Sequence, residues 1–141
     1  MIGILNYGLG NVSAFLNIYK NLGVACKLVE KQVDLVDIDK LILPGVGAFD
    51  YAMKCFNESG LREEVDRLVL IKKVPILGVC VGLQMMAESS DEGVLCGLGW
   101  IDATVVEFDS KSLPAGCPLP HMGWNNLDVV NENPLLAGLN Y

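Results

Sequence analysis

The sequence predicts an α/β protein whose mostly parallel sheet is covered by helices on both faces. Hydrophobic residues make up 52% of the 141 residues, and 15 residues are glycine. Short apolar runs alternate with stretches of helical spacing, and several runs end in glycine-rich turns. Parallel strands buried on both faces read as such runs, and right-handed crossovers place the ligand-binding loops at their carboxyl ends.

Predicted strands and helices alternate as far as residue 89, except that the second and third strands have no helix between them. The strands are expected at residues 1–5, 24–29, 40–43 and 75–79, and the helices at residues 11–22, 59–71 and 81–89. Each strand is a short apolar run, whereas the helices place apolar side chains three or four residues apart. Gly23 ends the first helix, Pro44-Gly45 is expected to stop the third strand, and the cations of Lys72-Lys73 suit a helix end.

The remainder of the chain gives weaker signals. Residues 100–108 are β-rich, residues 110–120 read as a loop, and residues 125–130 read as another short strand. No repeat, low-complexity tract or linker divides the chain, so residues 1–141 are predicted to form a single domain. The final segment NPLLAGLNY does not resemble a natural domain edge, and this domain is expected to be incomplete.

Composition argues against several classes of partner and site. A net charge of −7 would repel nucleic acid and anionic membranes on average, so a small molecule or another protein is the expected partner. No apolar run approaches the roughly 18 residues of a spanning helix, and the N-terminus lacks signal-peptide features, which predicts a cytoplasmic protein. Five cysteines without CxxC spacing and a single histidine argue against a disulfide framework, a zinc site or a histidine-rich metal centre.

Cys80 lies between two glycines where an apolar strand is expected to end. The segment from Gly78 to Gly82 matches glycine-x-nucleophile-x-glycine, a pattern in which a tight strand-to-helix turn lifts the nucleophile clear of the sheet. The start of a helix favours the thiolate, and the backbone N–H of Val81 could hold an oxyanion. A buried structural cysteine in a glycine-rich turn is the alternative interpretation.

A second glycine-rich turn follows the neighbouring predicted strand. Gly45, Val46 and Gly47 would let backbone N–H groups approach a ligand closely and could supply a second oxyanion donor. The alternative is an ordinary connection between a strand and a helix.

A dinucleotide site is the rival interpretation. Gly8 and Gly10 resemble the start of a dinucleotide fingerprint, and Glu30 ends the second predicted strand, where a ribose-binding acid would belong. The third glycine of that fingerprint is replaced by Ser13, however, and a nucleotide site gives no role to Cys80.

His121 is the one imidazole that could complete a cysteine and histidine pair. The predicted loop around His121 contains proline and glycine next to a tryptophan, which favours a packing or interface role for the histidine. The simplest interpretation of the acids Glu88, Asp91 and Glu92 is that they lie at the solvent-exposed end of a helix. The alternative is that they bind substrate.

Four segments together resemble a known enzyme family. PGVGAF, GVCVGLQ with the later DEG, and LPHMGWN are similar to the triad-type (class I) glutamine amidotransferases. NYGLGN and LPHMGWN narrow the resemblance to the glutaminase subunits of imidazole glycerol phosphate synthases, in histidine biosynthesis, and it runs from residue 1 to about residue 139. It implies a flavodoxin-like fold, no metal or cofactor, and a Cys80 nucleophile that forms a thioester with glutamine.

The resemblance also implies roles for other residues of the site. Val81 and the Val46-Gly47 turn would supply the oxyanion donors, and the resemblance implies that the turn reorients when the partner's ligand binds. Gln84 and Glu92 correspond to positions that hold the α-amino and carboxylate ends of glutamine. The positions implied in substrate binding are Gly45, Gly47, Gln84 and Glu92.

A partner subunit is implied as well. Ammonia released into water mostly becomes protonated and loses its lone pair, so a synthase has reason to pass it directly to the next active site. The family partner is a (β/α)₈-barrel cyclase, bound as a heterodimer, that makes imidazole glycerol phosphate and AICAR. The positions that correspond to this interface are Asn11, His121, Trp124 and Asn125.

One part of the family pattern is missing. Members of the family supply a His-x-Glu pair, the base and its orienting acid, some tens of residues further on, and nothing in residues 1–141 replaces it. General acid and base groups contribute about 10² to 10⁴-fold to a rate, so the 141-residue form is expected to be inactive or nearly so. Two alternatives stay open: a paralogue that supplies ammonia for sugar amidation in surface-polysaccharide synthesis, and a non-catalytic binding subunit.

Overall fold

The structure is a computed structural model that describes residues 1–109, 111–113, 119–120, 122–130 and 134–138. The chain divides into two compact units, Met1–Glu107 and Phe108–Tyr141, and each is described by itself. The single domain expected over the whole chain stays a prediction. Among the residues just given, none of the helices has the length and apolar character needed to cross a membrane.

The first unit is built on a four-stranded parallel sheet. Its strands are β1 (Ile2–Leu5), β2 (Cys26–Val29), β3 (Lys40–Gly45) and β4 (Ile76–Cys80). Their order across the sheet is β2-β1-β3-β4, and every neighbouring pair is parallel. Ile4 of β1 lies opposite Leu28 of β2 and opposite Ile42 of β3, so the first strand of the chain lies inside the sheet.

The helices of this unit follow the strands. They are α1 (Val12–Asn21), α2 (Phe49–Glu58), α3 (Arg62–Asp66) and α4 (Val81–Met85), with a 3₁₀ helix at Gln32–Leu35 and a π-helical segment at Arg67–Ile71. Because the crossovers from β1 and from β3 run in opposite directions across the sheet, right-handed connections place α1 on one face and α2 with α3 on the other. This is a flavodoxin-like α/β arrangement, as predicted.

The core packs around helices α2, α3 and α4 against the sheet. Its fully buried side chains include Leu5, Leu41, Leu43, Phe49, Met53, Phe56, Leu61 and Met85. Tyr7 and Trp100 pack edge-on against Phe56, with ring centroids 5.3 and 6.3 Å away. Burying a side chain of this size stabilises the fold by about 1.5 to 3 kcal/mol, so the core fixes α2 and α4 against strand β3.

Strand β3 does not stop before Pro44-Gly45, as the sequence predicts, but includes both residues. Pro44 lies opposite Val79 of β4, while the pairing of β1 with β3 ends at Ile42. No strand on the β1 side therefore requires an N–H group from Pro44, and proline is tolerated at such an unpaired position. Its carbonyl accepts a hydrogen bond from the Tyr7 hydroxyl at 2.6 Å.

Helix α2 is missing from the sequence-based expectations. Its buried residues Phe49, Ala52, Met53 and Phe56 do follow helical spacing. The helix begins directly after a glycine-rich turn, and its N-cap, Ala48, offers no side-chain hydrogen bond. The usual sequence signal of a helix start is therefore lacking.

Helix α4 ends at Met85 and is shorter than the predicted helix at residues 81–89. Residues 98 and 99 fold back onto this end of the helix and bond to its backbone carbonyls. Leu98 N–H donates to the Met85 carbonyl, and Gly99 N–H donates to the Ala87 carbonyl. These contacts come from residues distant in the chain, and local propensity does not register them.

The predicted strands after residue 99 are mostly wrong. Residues 100–108 form a strand only at Thr104–Val105 (β6), which pairs in parallel with Ser89–Ser90 (β5). Residues 122–130 are described and hold no strand, so the strand predicted at 125–130 is an error. Strand formation depends on a neighbour to pair with, and a β-rich composition alone does not supply one.

Candidate active site

Cys80 ends strand β4 and stands directly before helix α4. Its backbone has a φ of 56° and a ψ of −123°, a conformation that costs a non-glycine residue on the order of 1 to 3 kcal/mol. The residue is exposed, so the alternative of a buried structural cysteine is wrong. A strained, accessible cysteine at a strand-to-helix turn has the geometry of a nucleophile elbow.

The two glycines beside Cys80 are required by close packing. A Cβ on Gly82 would overlap the backbone carbonyl oxygen of Leu43, and a Cβ on Gly78 would lie 2.6 Å from the sulfur of Met86. The turn that carries the cysteine is thereby seated directly on strand β3. A side chain at either glycine would push these elements apart.

The glycine-rich turn after β3 lies beside the cysteine. Gly45 is paired in register with Cys80, and a Cβ on Gly45 would lie 2.8 Å from the carbonyl carbon of Val81. Val46 is exposed, and Gly47 has a φ of 83°, in the left-handed region that favours glycine. The structure therefore brings together the predicted nucleophile and both predicted sources of oxyanion donors.

Two predicted substrate residues line one cavity. Gln84, about one helical turn after Cys80, and Glu92 both face a space of about 360 Å³, within the range of about 300 to 1,000 Å³ usual for small-molecule sites. Asp91 and Glu107 line the same space. Three carboxylates and one amide suit a ligand that carries a cationic group.

The loop that carries Glu92 is held by several hydrogen bonds. Ser90 Oγ accepts from the N–H of Glu92 at 3.2 Å, and Asp91 Oδ2 accepts from the N–H of Glu107 at 3.0 Å. The carboxylate of Asp50, in the first turn of α2, accepts from the N–H groups of Val94 and Leu95 at 3.0 Å. These contacts fix the wall of the cavity on the side of Glu92.

Asp50 and Glu107 are residues of this site that have no functional signal of their own in the sequence. A Cβ on Gly93 would overlap the Asp50 carboxylate, so the glycine of the DEG segment is what lets the loop approach α2. The only sequence signal was that glycine, since Asp50 and its partners are 44 and 45 residues apart in the chain.

The predicted interface residues are divided between the two units. Asn11, in the first unit, caps α1 by accepting a hydrogen bond at 3.1 Å from the N–H of Ala14. Trp124 and Asn125 belong to the second unit, and the Trp124 side chain is exposed. His121 lies outside the described residues. An interface role for these four residues stays a prediction.

Residues of the rival nucleotide site already have structural roles. The Glu30 carboxylate accepts a hydrogen bond from the side-chain amide of Asn6 at 2.8 Å. A Cβ on Gly10 would lie 2.7 Å from Cβ of Pro44, so Gly10 is required for packing against β3. Within the described residues, no group of three or more histidine, cysteine, aspartate or glutamate side chains could hold a metal ion.

Relatives of this chain are found by sequence. The family described as "Glutamine amidotransferase class-I" matches residues 4–139. The "Imidazole glycerol phosphate synthase subunit HisH" of Bdellovibrio bacteriovorus is 51% identical over 139 residues, which cover 99% of this chain and 68% of that protein. The protein of the same description from Leptospira interrogans is 44% identical over the same shares of both chains.

A solved structure supports the same assignment. A protein described as "Crystal structure of glutamine amidotransferase" superposes with a TM-score of 0.62 at 27% sequence identity, covering 74% of this chain and 55% of the other. The present chain thus spans about two thirds of the length of its sequence relatives and just over half of that structure. By its sequence match and its fold, this chain belongs to the class I glutamine amidotransferase family.

Proposed function

We propose that this chain acts as the glutaminase subunit of an imidazole glycerol phosphate synthase. It hydrolyses glutamine to glutamate and ammonia through a thioester on Cys80, and the ammonia passes to a cyclase subunit that makes imidazole glycerol phosphate and AICAR in histidine biosynthesis. The observation that carries the proposal is the strained elbow at Cys80, paired in register with the Gly45 turn. The descriptions of the sequence relatives support the choice of synthase.

The chemistry begins with attack of the Cys80 thiolate on the side-chain amide carbon of glutamine. The carbonyl oxygen becomes an oxyanion, which the N–H of Val81 and an N–H of the Val46-Gly47 turn would stabilise. The carbon–nitrogen bond then breaks, and the nitrogen takes a proton and leaves as ammonia. Water hydrolyses the thioester and restores the thiol, so one glutamine and one water give one glutamate and one ammonia.

Recognition of the ammonium and carboxylate ends of glutamine is assigned to the cavity lined by Gln84 and Glu92. The Glu92 carboxylate would pair with the α-ammonium group, and Gln84 would donate to the α-carboxylate. Gly45 and Gly47 would allow the side-chain amide to approach the backbone of the turn. An acidic cavity wall fits an amino acid because it attracts the ammonium end.

A partner subunit is part of the proposal. Free ammonia mostly becomes ammonium in neutral water and is then no nucleophile, so direct transfer to a neighbouring active site is an advantage. Contacts with the cyclase subunit, in a cytoplasmic heterodimer, are assigned separately to Asn11 of the first unit and to His121, Trp124 and Asn125 of the second. No nucleic acid or membrane partner is proposed, in line with the net charge of −7.

The source of the general base separates two versions of this proposal. The only histidine of the sequence is His121. Without a base near Cys80, the 141-residue chain would hydrolyse glutamine about 10² to 10⁴ times more slowly than a chain that has one, because general acid and base groups contribute that factor to the rate. A chain that binds its partner but forms no thioester would instead be a non-catalytic binding subunit, the second candidate.

Covalent labelling tests the role of Cys80 without depending on the base for turnover. The probe is diazo-oxo-norleucine, a glutamine analogue whose diazo carbon takes a proton and loses N₂ as a thiolate sulfur bonds to it. We expect one adduct, on Cys80, with glutamine slowing its formation. Cys80→Ala should abolish the adduct, whereas Cys96→Ala, a change at another exposed cysteine, should not. Equal labelling of both cysteines, or no protection by glutamine, would contradict the proposed function.

A further inference from the structure

Tyr7 is a buried tyrosine with a hydrogen bond that joins two strand ends. It lies two residues beyond β1, and its hydroxyl donates to the backbone carbonyl of Pro44, at 2.6 Å. Its ring packs edge-on against Phe56 with a centroid distance of 5.3 Å, which fixes the direction of the hydroxyl. Burial, with a smaller contribution from nearby Cys55, raises the pKa of the Tyr7 phenol well above its usual value, so the group stays a donor.

The Pro44 carbonyl depends on this donor. Pro44 is fully buried, and the pairing of β1 with β3 ends two residues earlier, at Ile42. Strand β1 therefore supplies no N–H group at the level of Pro44. A buried carbonyl without a partner is unfavourable, and the Tyr7 hydroxyl takes the place of the missing strand.

The Pro44 peptide is also the base of the glycine-rich turn beside Cys80. Gly45 follows it directly, and the backbone of Gly45 packs on Val81, whose N–H is the other assigned oxyanion donor. Further along, Val46 is exposed. The turn is thus anchored at Pro44 and Gly45 before it reaches solvent. The orientation of the Pro44 carbonyl fixes the plane of the Pro44–Gly45 peptide, and with it the direction in which the turn begins.

We propose that the Tyr7 hydroxyl is a positioning group for this turn. It holds the Pro44 carbonyl so that a backbone N–H of the turn can face the oxyanion that forms when Cys80 attacks the glutamine side chain. The inference rests on the proposed function of Cys80. Oxyanion donors act only within about 2.7 to 3.1 Å of the oxygen they stabilise, and a displacement of about 1 Å can cost about 10²-fold in rate. Loss of one hydroxyl remote from the substrate therefore lowers reactivity toward glutamine-like carbonyls.

The test compares Tyr7→Phe with Tyr19→Phe in the 141-residue chain. Tyr7→Phe keeps the ring against Phe56 and removes only the hydroxyl, and Tyr19→Phe makes the same chemical change on helix α1. Rates of Cys80 modification are measured with diazo-oxo-norleucine, whose carbonyl must enter the oxyanion site, and with iodoacetamide, which needs only an accessible thiolate. We expect Tyr7→Phe to slow the first reaction by about 10 to 100-fold and the second by less than about twofold. Tyr19→Phe should change neither.

Hydrogen exchange supplies a second readout that does not involve glutamine. In Tyr7→Phe, the amides of Leu43 and of residues 45–48 should exchange faster, while those of strand β1 and helix α2 keep their rates. Unchanged exchange at Leu43 and residues 45–48, a uniform increase across the chain, or equal slowing of both reagents would overturn the positioning role. Failure of the proposed function looks different: the wild-type chain would then show no preference for diazo-oxo-norleucine, while the exchange result would still decide the role of Tyr7.

Discussion

The carboxylate of Asp50 accepts a hydrogen bond at 3.0 Å from the backbone N–H of Val94, 44 residues later in the chain. This contact ties the first turn of helix α2 to the loop that carries Glu92. The helix thus joins both parts of the candidate site, since it also begins directly after the turn that ends at Gly47. A change at Asp50 tests how far the cavity depends on that loop.

Asp50→Ala should weaken binding of glutamine analogues more than it weakens reactivity of the thiol. Two backbone N–H groups lose an ionised acceptor, so we expect a loss of about 1 to 2 kcal/mol in the free energy of unfolding and about a tenfold rise in the half-saturating concentration of diazo-oxo-norleucine. Urea denaturation and labelling kinetics measure the two effects. Glu63→Ala, at an exposed position of α3, is the control. A fall in iodoacetamide reactivity equal to the loss of analogue binding would refute this account.

Cys80→Gly should stabilise the protein relative to Cys80→Ala. Glycine adopts a φ of 56° without the penalty that alanine bears, which is on the order of 1 to 3 kcal/mol, and this exceeds the usual preference for alanine of about 0.5 to 1 kcal/mol. Urea unfolding of the two variants measures the difference. If Cys80→Ala were the more stable, the elbow would carry no strain in solution.

Gly82→Ala should be far more destabilising than Gly99→Ala. A methyl group at Gly82 overlaps the Leu43 carbonyl, whereas Gly99 has open space around it and only an unfavourable φ of 63°. We expect a loss of about 1 kcal/mol for Gly99→Ala and at least about 3 kcal/mol for Gly82→Ala. Thermal and urea unfolding compare the two. Equal losses would mean that α4 is not seated on β3 as described.

Stability should fall above about pH 10 in a way that depends on Tyr7. The pKa of its phenol is raised in the folded chain, so its contribution is fully present below the ordinary tyrosine pKa of about 10 and is lost as pH rises. Above that pH the unfolded chain releases the proton while the folded chain retains it. The difference in free energy of unfolding between wild type and Tyr7→Phe should therefore stay constant from pH 8 to about pH 9 and shrink from about pH 10 to pH 11. A constant difference over this range would contradict it.

The parts of the site that sequence predicts are those encoded locally. The elbow at Cys80 follows from glycines two residues away on either side, and the backbone there has the required shape. The turn at Gly45 is likewise a short pattern of small residues. Their adjacency follows from the parallel order of β3 and β4, which alternating strands and helices predict.

The parts that sequence misses depend on distant residues. Helix α4 stops early because the N–H of Leu98 returns to the Met85 carbonyl. Strand β3 runs through Pro44 because this residue pairs with Val79 of β4, while its carbonyl takes a hydrogen bond from the Tyr7 hydroxyl in another loop. Periodicity and propensity describe neighbours in the chain, and they contain no information about such partners.

The close contact of Gly82 with the Leu43 carbonyl determines the stage of folding at which Cys80 takes up its strained conformation. A peptide of residues 75–86 has no β3 to rest on, so its cysteine would relax to an ordinary negative φ. A nascent chain that has not yet assembled β3 with β4, or a fragment released by a protease, would carry only a common thiol. Folding itself therefore controls the reactivity of Cys80: the thiol becomes a selective nucleophile only after the sheet beneath the turn is complete.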